Sequence, residues 1–310
     1  MKLRTVLKQI IKACIPYGII ELRRRNYENA KEISLQQLYT LDVNVFKKLF
    51  FKKEQDGRSY FNFNGAIIPD ISEDAQKMWC LQKYAFYDTF LFPCLFNDKY
   101  DKPLIEILDQ YMPEGPYGYT DDLFDVTVHK NDIVIDAGAW IGDFSAYSAS
   151  KGADVYAFEP VHKIFALLEQ TAELNTTIAG EGKIYPIKKG LSDKNTELEI
   201  FVSTGNDGAS TLLPNPLFSY HKEKIEIITL DKFVEENNIQ RIDFIKADIE
   251  GAERDMLKGA INILRKNQPK LAICTYHFPD DPEILEKIIL EANPNYKIRH
   301  LRNKLFACVY

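Results

Sequence analysis

The amino-acid sequence predicts an α/β fold: a Rossmann-like, mainly parallel sheet, preceded by a mainly helical N-terminal region. Strand-like and helix-like segments alternate from about residue 120 onward, which is typical of a parallel sheet covered by helices on both faces. A glycine-containing turn joins the first of these strands to a helix. Segments 296–301 and 304–309 are separated by two polar residues and predict a closing hairpin, which would add an antiparallel last strand.

The elements of the C-terminal part follow from the apolar runs and the residues that interrupt them. We expect strands over 133–136, 154–158, 183–188, 241–247 and 270–275, and helices over 144–150, 161–175, 252–266 and 282–292. A further strand pair is predicted over 198–202 and 224–228. The division lies near residue 120, so the predicted domains are 1–119 and 120–310.

The N-terminal domain carries helix signals and one strand signal. A helix is expected from Ser72, a good N-cap residue, to 92, and another over 103–110 with Pro103 in its first turn. Segment 60–64 alternates like a short edge strand. Segment 112–119 is rich in proline and glycine, and we interpret it as a linker able to cover the ligand-binding edge of the sheet.

The first 25 residues have an amphipathic pattern with a basic polar face. Apolar residues from Leu3 to Cys14 recur at helical spacing, and no acidic residue precedes Glu21. One interpretation is peripheral contact of residues 1–25 with an anionic membrane surface. The other is a helix that docks on its own domain or on a second subunit, and both stay open.

Composition limits the classes of function. The chain has 310 residues, a net charge of -6 and a pI near 5.5, which argues against nucleic acid as a partner. The five cysteines are scattered and lack a C-x-x-C pair, so neither a disulfide framework nor a zinc site is indicated. No apolar run is long enough to span a membrane. We expect a cytoplasmic protein.

The turn after the first strand of the C-terminal part has the pattern Asp136-Ala-Gly138-Ala139-Trp140-Ile-Gly142. Gly138 allows a tight turn, and Gly142 allows a ligand or the following helix to approach closely. The helix N-terminus offers free N–H groups to an anion. Trp140 occupies the middle position of the dinucleotide motif G-x-G-x-x-G, where a side chain leaves no room for a pyrophosphate, so NAD(P) is disfavoured.

The second strand ends in Glu159-Pro160, 23 residues beyond Asp136. In doubly wound sheets an acidic residue at this position holds the ribose hydroxyls of a nucleoside ligand. Combined with the glycine turn, this carboxylate suits S-adenosylmethionine. The amino-acid end of that cofactor would lie over the turn and its ribose against Glu159.

A series of motifs then resembles a known family. It comprises Phe158-Glu-Pro160, Ile227-Ile-Thr-Leu-Asp-Lys-Phe233, Ile242-Asp-Phe-Ile-Lys-Ala-Asp-Ile-Glu-Gly-Ala-Glu253 and Leu257-Lys-Gly-Ala260. In this order they resemble the FkbM-type family of S-adenosylmethionine-dependent methyltransferases, over roughly 117–309. The resemblance implies a class I methyltransferase sheet with an antiparallel last strand. It also implies O-methylation in secondary-metabolite or surface-polysaccharide pathways.

Acidic residues and one histidine follow the fourth and fifth strands, where substrate would meet cofactor. Asp248 is our first choice for general base or substrate anchor, and Glu250 is a further candidate catalytic residue. His277 is a candidate general base, with an exposed loop histidine as the alternative. Glu253 is interpreted as a helix-capping acid. Lys246 is expected to pair with one of these acids. Hard oxygen ligands would suit Mg²⁺, but no spacing demands a metal, so none is predicted.

The resulting site has two parts. The predicted catalytic residues are Asp248, Glu250 and His277. The predicted cofactor-binding residues are Asp136, Gly138, Ala139, Trp140, Gly142, Glu159, Pro160, Ser192, Asp193 and Asp248; family resemblance and position together place Ser192 and Asp193 at the adenine, with a surface turn as their alternative.

The predicted function is S-adenosylmethionine-dependent methylation, with a hydroxyl of a sugar, a polysaccharide precursor or another small molecule as the acceptor. The alternative is a non-catalytic regulator or partner subunit that binds the cofactor. The residues alone do not distinguish oxygen from nitrogen as the acceptor atom, or a monomer from a homo-oligomer.

Overall fold

A computed structural model describes residues 51–53, 59–63, 65–69, 117–176, 182–203, 220–301 and 303–310. Elements are numbered here in chain order among those residues. The strands are β1 Phe51–Lys53, β2 Ser59–Phe63, β3 Ala66–Pro69, β4 Tyr119–Asp121, β5 Phe124–Val126, β6 Ile133–Ala137, β7 Asp154–Phe158, β8 Lys183–Ile187, β9 Gly190–Leu191, β10 Thr196–Ser203, β11 Tyr220–Ile228, β12 Phe244–Ala247, β13 Lys270–Cys274, β14 Lys297–Leu301 and β15 Lys304–Cys308. The helices are α1 Asp143–Ser150, α2 His162–Leu174, α3 Leu230–Glu236, α4 Glu253–Lys258, α5 Ile261–Lys266 and α6 Asp281–Ala292.

The central sheet has seven strands in the order β14-β15-β13-β12-β6-β7-β8. Strands β8, β7, β6, β12 and β13 pair in parallel, and β15 pairs antiparallel with both β13 and β14. The predicted α/β class and the antiparallel last strand are therefore confirmed. The strand order reverses at β6, which lies between β7 and β12, and ligands of such sheets bind where this reversal occurs.

Alternate residues along the strands supply two apolar layers, one on each face of the sheet. Phe244 of β12 and Phe306 of β15 belong to the layer that also contains residues of α1 and α2. Ile245 and Leu305, their neighbours along the chain, belong to the opposite layer with residues of α3 to α6. The sheet is thus covered on both faces, which leaves the strand ends as the place for a ligand.

The predicted strands and helices of the C-terminal part lie close to those observed, with one predicted helix interrupted and one helix missed; the short strands β4, β5 and β9 were not predicted. The single helix expected over 252–266 is wrong, because α4 ends at Lys258 and α5 begins at Ile261. Between them, a Cβ on Gly259 would lie 2.0 Å from the Ser192 carbonyl oxygen, so only glycine fits this contact. The missed element, α3, is capped by Thr229, whose side chain accepts a hydrogen bond from the Lys232 N–H.

The N-terminal region contains more sheet than predicted. Segment 60–64 was expected as an edge strand, but β2 is the central strand of the antiparallel sheet β1-β2-β3. Strand β3 packs against α1 and α2, where Asn175 accepts from the Ile67 N–H at 3.1 Å and donates to the Ile67 carbonyl at 2.6 Å. The helices expected over 1–25, 72–92 and 103–110 lie outside the described residues.

Two β-ribbons complete the fold. Strands β4 and β5 form a short hairpin. Strand β10 pairs antiparallel with β11 over eight residue pairs, both strands extend beyond the expected 198–202 and 224–228, and β9 adds a third strand in parallel with β11. Across the part of the chain that the structure describes, none of the helices has the length and apolar character needed to cross a bilayer.

Candidate active site

The glycine turn after β6 lies directly against the loop that follows β12. Gly138 has a φ of 71°, and a Cβ there would lie 1.9 Å from the Asp248 carbonyl oxygen, so the loops approach backbone to backbone. Gly142 has a φ of 88°, and its Cβ would lie 2.7 Å from Leu168 Cδ1 of α2. Gly142 was expected to allow a ligand or the following helix to approach, and the close contact is instead with α2.

Asp136 lies beneath this turn and is fully buried. Ser145 Oγ donates to its Oδ2 at 2.6 Å, and Lys246 Nζ lies 3.1 Å from its Oδ1. Lys246 was a candidate partner for one of the acids Asp248, Glu250 and Glu253; its ion pair is with Asp136, and the charge of Asp248 also acts on it. Lys246 also donates to the Gly138 carbonyl at 2.6 Å, so the pair supports the turn from below.

Lys246 remains charged in this buried position. Burial alone would lower the pKa of its ammonium group, but the negative charges of Asp136 and then Asp248 raise that pKa above its ordinary value. The same ammonium lies 5.0 Å from the ring centroid of Tyr117. A permanent buried cation therefore connects the glycine turn, the end of β12 and the linker that precedes the sheet.

Glu159 ends β7 on the other side of the glycine turn. The Gly138 and Ala139 N–H groups both donate to the Phe158 carbonyl, at 3.1 and 2.9 Å, and so tie the end of β7 to the turn. The Val161 N–H donates to Glu159 Oε1 at 2.9 Å. Burial raises the pKa of the Glu159 carboxyl to about 8, although the backbone N–H groups of Val161 and Trp140 lower it.

The other predicted cofactor residues occupy two places. Trp140, in the glycine turn, has a φ of 50°, a left-handed conformation uncommon for such a side chain, and Pro160 follows Glu159. Ser192 is buried after β9, with its carbonyl against Gly259 of the α4–α5 connection, and Asp193 beside it is exposed. The adenine contact assigned to Ser192 and Asp193 stays a prediction.

Asp248, the first residue after β12, is held by two tyrosines. Tyr117 donates to its Oδ2 at 2.7 Å, and Tyr276 donates to its Oδ1 at 2.9 Å. Burial would raise the pKa of this carboxyl, but the charge of Lys246, the tyrosine hydroxyls and the charge of His277 lower it below its ordinary value. Asp248 is therefore ionised at neutral pH, and its carboxylate is fixed in orientation.

His277 lies among three carboxylates, not in an exposed loop. Its Nδ1 is 3.3 Å from Glu253 Oε1, and its Nε2 is 3.8 Å from both Asp248 Oδ1 and Glu250 Oε2. Burial lowers the pKa of the imidazole, but Glu253, Asp248 and Glu250 together raise it to about 9. At neutral pH this ring is an imidazolium, whereas a general base needs the neutral form.

Glu253 and Glu250 have different surroundings. Glu253 is buried in the first turn of α4, as expected of a helix N-terminal acid, but it accepts a hydrogen bond from the Ile249 N–H at 2.7 Å in the preceding turn and does not cap the helix. Glu250 is exposed and has a φ of 55°, next to Gly251 with a φ of 98°. The turn thus brings Glu250 towards His277 at the rim of the site.

Tyr117 and Tyr276 were not among the predicted site residues. Tyr276 adjoins His277 in the segment after β13, and Tyr117 belongs to the linker interpreted as a cover for the site, so both lay next to recognised signals. Their hydroxyls point to Asp248 from segments 131 positions before it and 28 positions after it. Only the folded chain shows that they meet.

Comparison with known proteins agrees with this geometry. The family model for the Methyltransferase FkbM domain matches residues 136–310, which is more than half of the chain. The chain belongs to the FkbM methyltransferase family. This FkbM domain begins at Asp136 and contains the glycine turn, Glu159, Asp248 and His277, whereas Tyr117 precedes it.

Curated relatives of the FkbM domain come from different kinds of organism. Methyltransferase sdnD of Sordaria araneosa is 28% identical over 172 residues, which is 46% of this chain and 65% of that protein. Hexuronic acid methyltransferase AglP of Haloferax volcanii is 26% identical over 180 residues, 56% of this chain and 67% of that protein. The alignments thus span about two thirds of the length of these relatives.

Among solved structures, the FkbM methyltransferase of Methylobacillus flagellatus aligns with a TM-score of 0.46 and 20% sequence identity. The alignment covers 80% of this chain and 62% of that one.

Proposed function

We propose that this protein is an S-adenosylmethionine-dependent methyltransferase that methylates a hydroxyl group of a sugar or another small molecule. One observation carries the proposal. The glycine turn after β6, the buried carboxyl Glu159 after β7 and the ionised Asp248 after β12 meet where the strand order reverses. Membership of the FkbM family supports the same reaction class.

In the proposed pose, the cofactor lies along the ends of β6 and β7. Its ribose hydroxyls bond to Glu159, its amino-acid end lies over Gly138, and its adenine lies towards Ser192 and Asp193. The cationic sulfonium then faces Asp248. A carboxylate that remains ionised at neutral pH suits that charge, and Asp248 meets this condition while Glu159 does not.

The reaction is an in-line displacement. The acceptor oxygen attacks the methyl carbon, a C–O bond forms as the S–C bond breaks, S-adenosylhomocysteine leaves, and the hydroxyl proton is released. Asp248 is suited to orient the hydroxyl and to take its proton, because each carboxylate oxygen has two lone pairs and the tyrosines use one on each. Although Asp248 is a weak base, the hydroxyl becomes strongly acidic as methyl transfer proceeds.

Acidic sugars are the first acceptors to test, because the relative AglP is named a hexuronic acid methyltransferase. Such an acceptor offers hydroxyl oxygens and a carboxylate. Assays with a uronic acid, its methyl ester and the corresponding neutral sugar would separate methylation of the hydroxyls from methylation of the carboxylate.

Calorimetry on the full chain with S-adenosylmethionine and S-adenosylhomocysteine tests the cofactor assignment. Glu159→Ala should cost about 1–3 kcal/mol, roughly five- to a hundredfold in affinity. Glu169→Ala, which removes an exposed acid on α2, is the matched control and should bind like the wild type. Absence of binding to the wild type would overturn the proposal.

The competing function is cofactor binding without catalysis, by a regulator or partner subunit. This function predicts that the protein still binds the cofactor after substitution of Asp248. It also predicts that no labelled methyl group is transferred to any acceptor tested. Transfer that the wild type performs and Asp248→Asn loses, at unchanged affinity for S-adenosylhomocysteine, which lacks the sulfonium charge, would exclude it.

A further inference from the structure

We propose that Asp248, Glu253 and His277 form a binding site for a divalent metal cation. Each contributes a ligand atom, and these atoms all lie within 4.8 Å of one another. The three residues come from separate segments: the end of β12, the start of α4 and the chain after β13. The site therefore exists only in the folded domain.

The strongest support comes from buried polar atoms. Within the described part of the chain, Glu253 Oε2 and His277 Nε2 are buried and make no hydrogen bond, and His277 Nδ1 has only a long contact of 3.3 Å to Glu253 Oε1. The Glu253 and His277 side chains are 1% and 9% exposed. Buried polar groups usually find partners, because each one left unpaired costs about 1–3 kcal/mol. A small cation would give Glu253 Oε2 and one ring nitrogen of His277 an interaction partner.

The distances point the same way. An imidazole and a carboxylate that pair directly close to about 2.7–2.9 Å. Here the three nitrogen–oxygen distances around His277 are 3.3, 3.8 and 3.8 Å. Ligands bound at about 2.1 Å to one ion are about 3.0 Å apart when adjacent and about 4.2 Å apart when opposite. Because the two ring nitrogens of His277 point apart, only one of them can bind the ion. Each of the three distances is still longer than a direct pair and falls between the adjacent and opposite values.

Neighbouring groups orient two of the ligands. The Ile249 N–H donates to Glu253 Oε1, and the Tyr276 and Tyr117 hydroxyls donate to Asp248. Hydrogen bonds of this kind fix the ligands of metal sites and strengthen metal binding. Glu250 adds a further carboxylate at the rim, 3.8 Å from the ring. Three carboxylates thus surround one imidazole, which gives the site a negative field.

The donor set indicates the class of metal. One imidazole nitrogen with carboxylate oxygens suits Mn²⁺, Fe²⁺ or Zn²⁺ better than Ca²⁺, which prefers oxygen alone. The metal would replace the proton that the imidazolium of His277 carries at neutral pH, and that proton is released to water. Three protein ligands leave positions for water or for an acceptor oxygen. A role in holding the acceptor beside the methyl group rests on the proposed function, whereas metal binding itself does not.

The test is titration of the full chain with Mn²⁺ after chelator treatment, without cofactor, followed by electron paramagnetic resonance of the free ion. We expect one ion per chain, at least tenfold weaker binding in His277→Gln, and a similar loss in Asp248→Asn. His129→Gln is the matched control, because His129 pairs with Asp125 on the surface and its loss should leave the affinity unchanged.

Folding is checked by circular dichroism, and Mn²⁺ should raise the melting temperature of the wild type but not of His277→Gln. Glu253→Gln is avoided because Glu253 also accepts the hydrogen bond from the Ile249 N–H. Lack of saturable binding of Mn²⁺ or Zn²⁺ below about 1 mM, or equal binding by wild type and His277→Gln, would overturn the proposal. Calorimetry with S-adenosylmethionine and no metal shows separately whether the cofactor site is intact.

Discussion

The two sides of the glycine turn carry buried carboxyl groups in opposite states. Glu159, after β7, meets mainly backbone N–H groups, and its pKa is raised to about 8. Asp248, after β12, meets Lys246, two tyrosine hydroxyls and His277, and its pKa is lowered. Both groups are largely removed from water, so burial alone does not set their charge. Nearby cations and hydroxyl donors do, and they are concentrated on the β12 side.

The different charge states of Glu159 and Asp248 fit their different roles in the proposed reaction. A neutral or nearly neutral carboxyl suits hydroxyl groups of a ribose, because it exchanges hydrogen bonds without a strong field. An ionised carboxylate suits the sulfonium and the departing proton. Variants on the β7 side and on the β12 side should therefore have different effects.

Gly138→Ala should remove the contact on which both sides depend. Its Cβ would lie 1.9 Å from the Asp248 carbonyl oxygen, and its φ of 71° is unfavourable for alanine. We expect a loss of at least about 4 kcal/mol in the free energy of unfolding, measured by urea denaturation. Gly118→Ala is the control, because its nearest contacts would be 3.6 Å away. Equal stability of the two variants would show that the loops separate easily.

Lys246→Met should act on the β12 side more than on the β7 side. It leaves Asp136 as an uncompensated buried charge, so we expect a loss of about 3 kcal/mol in unfolding free energy. It should also raise the pKa of Asp248. The control, Lys258→Met, breaks an exposed pair with Asp255 and should cost less than about 1 kcal/mol. If the two variants lose equal stability, Lys246 is not the central cation of this site.

The raised pKa of Glu159 predicts a pH dependence specific to the β7 side. A folded-state pKa of about 8, above the ordinary value of 4.5, means that the folded protein holds this proton more tightly than the unfolded chain. Stability from this group is therefore complete below about pH 4.5 and is lost as the pH rises through 8. Between pH 6 and 8 the loss should be about 2 kcal/mol.

Glu159→Gln isolates this contribution, because glutamine keeps the shape and does not titrate. Unfolding free energies measured from pH 5 to 9 should fall less steeply in the variant than in the wild type. Glu169→Gln, at an exposed position, should follow the wild-type curve. Parallel curves for Glu159→Gln and the wild type would mean that Glu159 titrates near its ordinary pKa.

The sequence predicted the sheet, and it placed Glu159 on one side of the glycine turn and Asp248 on the other. It could do so because strand ends, glycine turns and acidic residues are local patterns. It did not predict the charge states. Asp136 and Lys246 come from strands that pair only in the fold, and Tyr117 reaches Asp248 across 131 positions. Hydrophobic periodicity carries no information about such contacts. The contact between Gly259 and the Ser192 carbonyl was missed for the same reason, since the two residues are 67 positions apart.

Tyr117→Phe should give the smallest effect and the finest test of the contrast. Its hydroxyl donates to Asp248 from outside the FkbM domain, so its loss should raise the pKa of Asp248 and leave that of Glu159 unchanged. Unfolding should become easier by about 1 kcal/mol. Tyr119→Phe is the control, because that hydroxyl bonds the exposed Asp121. When the rate of methyl transfer is measured from pH 4 to 8, its fall towards acidic pH should move to higher pH in Tyr117→Phe but not in Tyr119→Phe. If the rate of both variants falls at the same pH, Lys246 and Tyr276 suffice to hold Asp248 ionised.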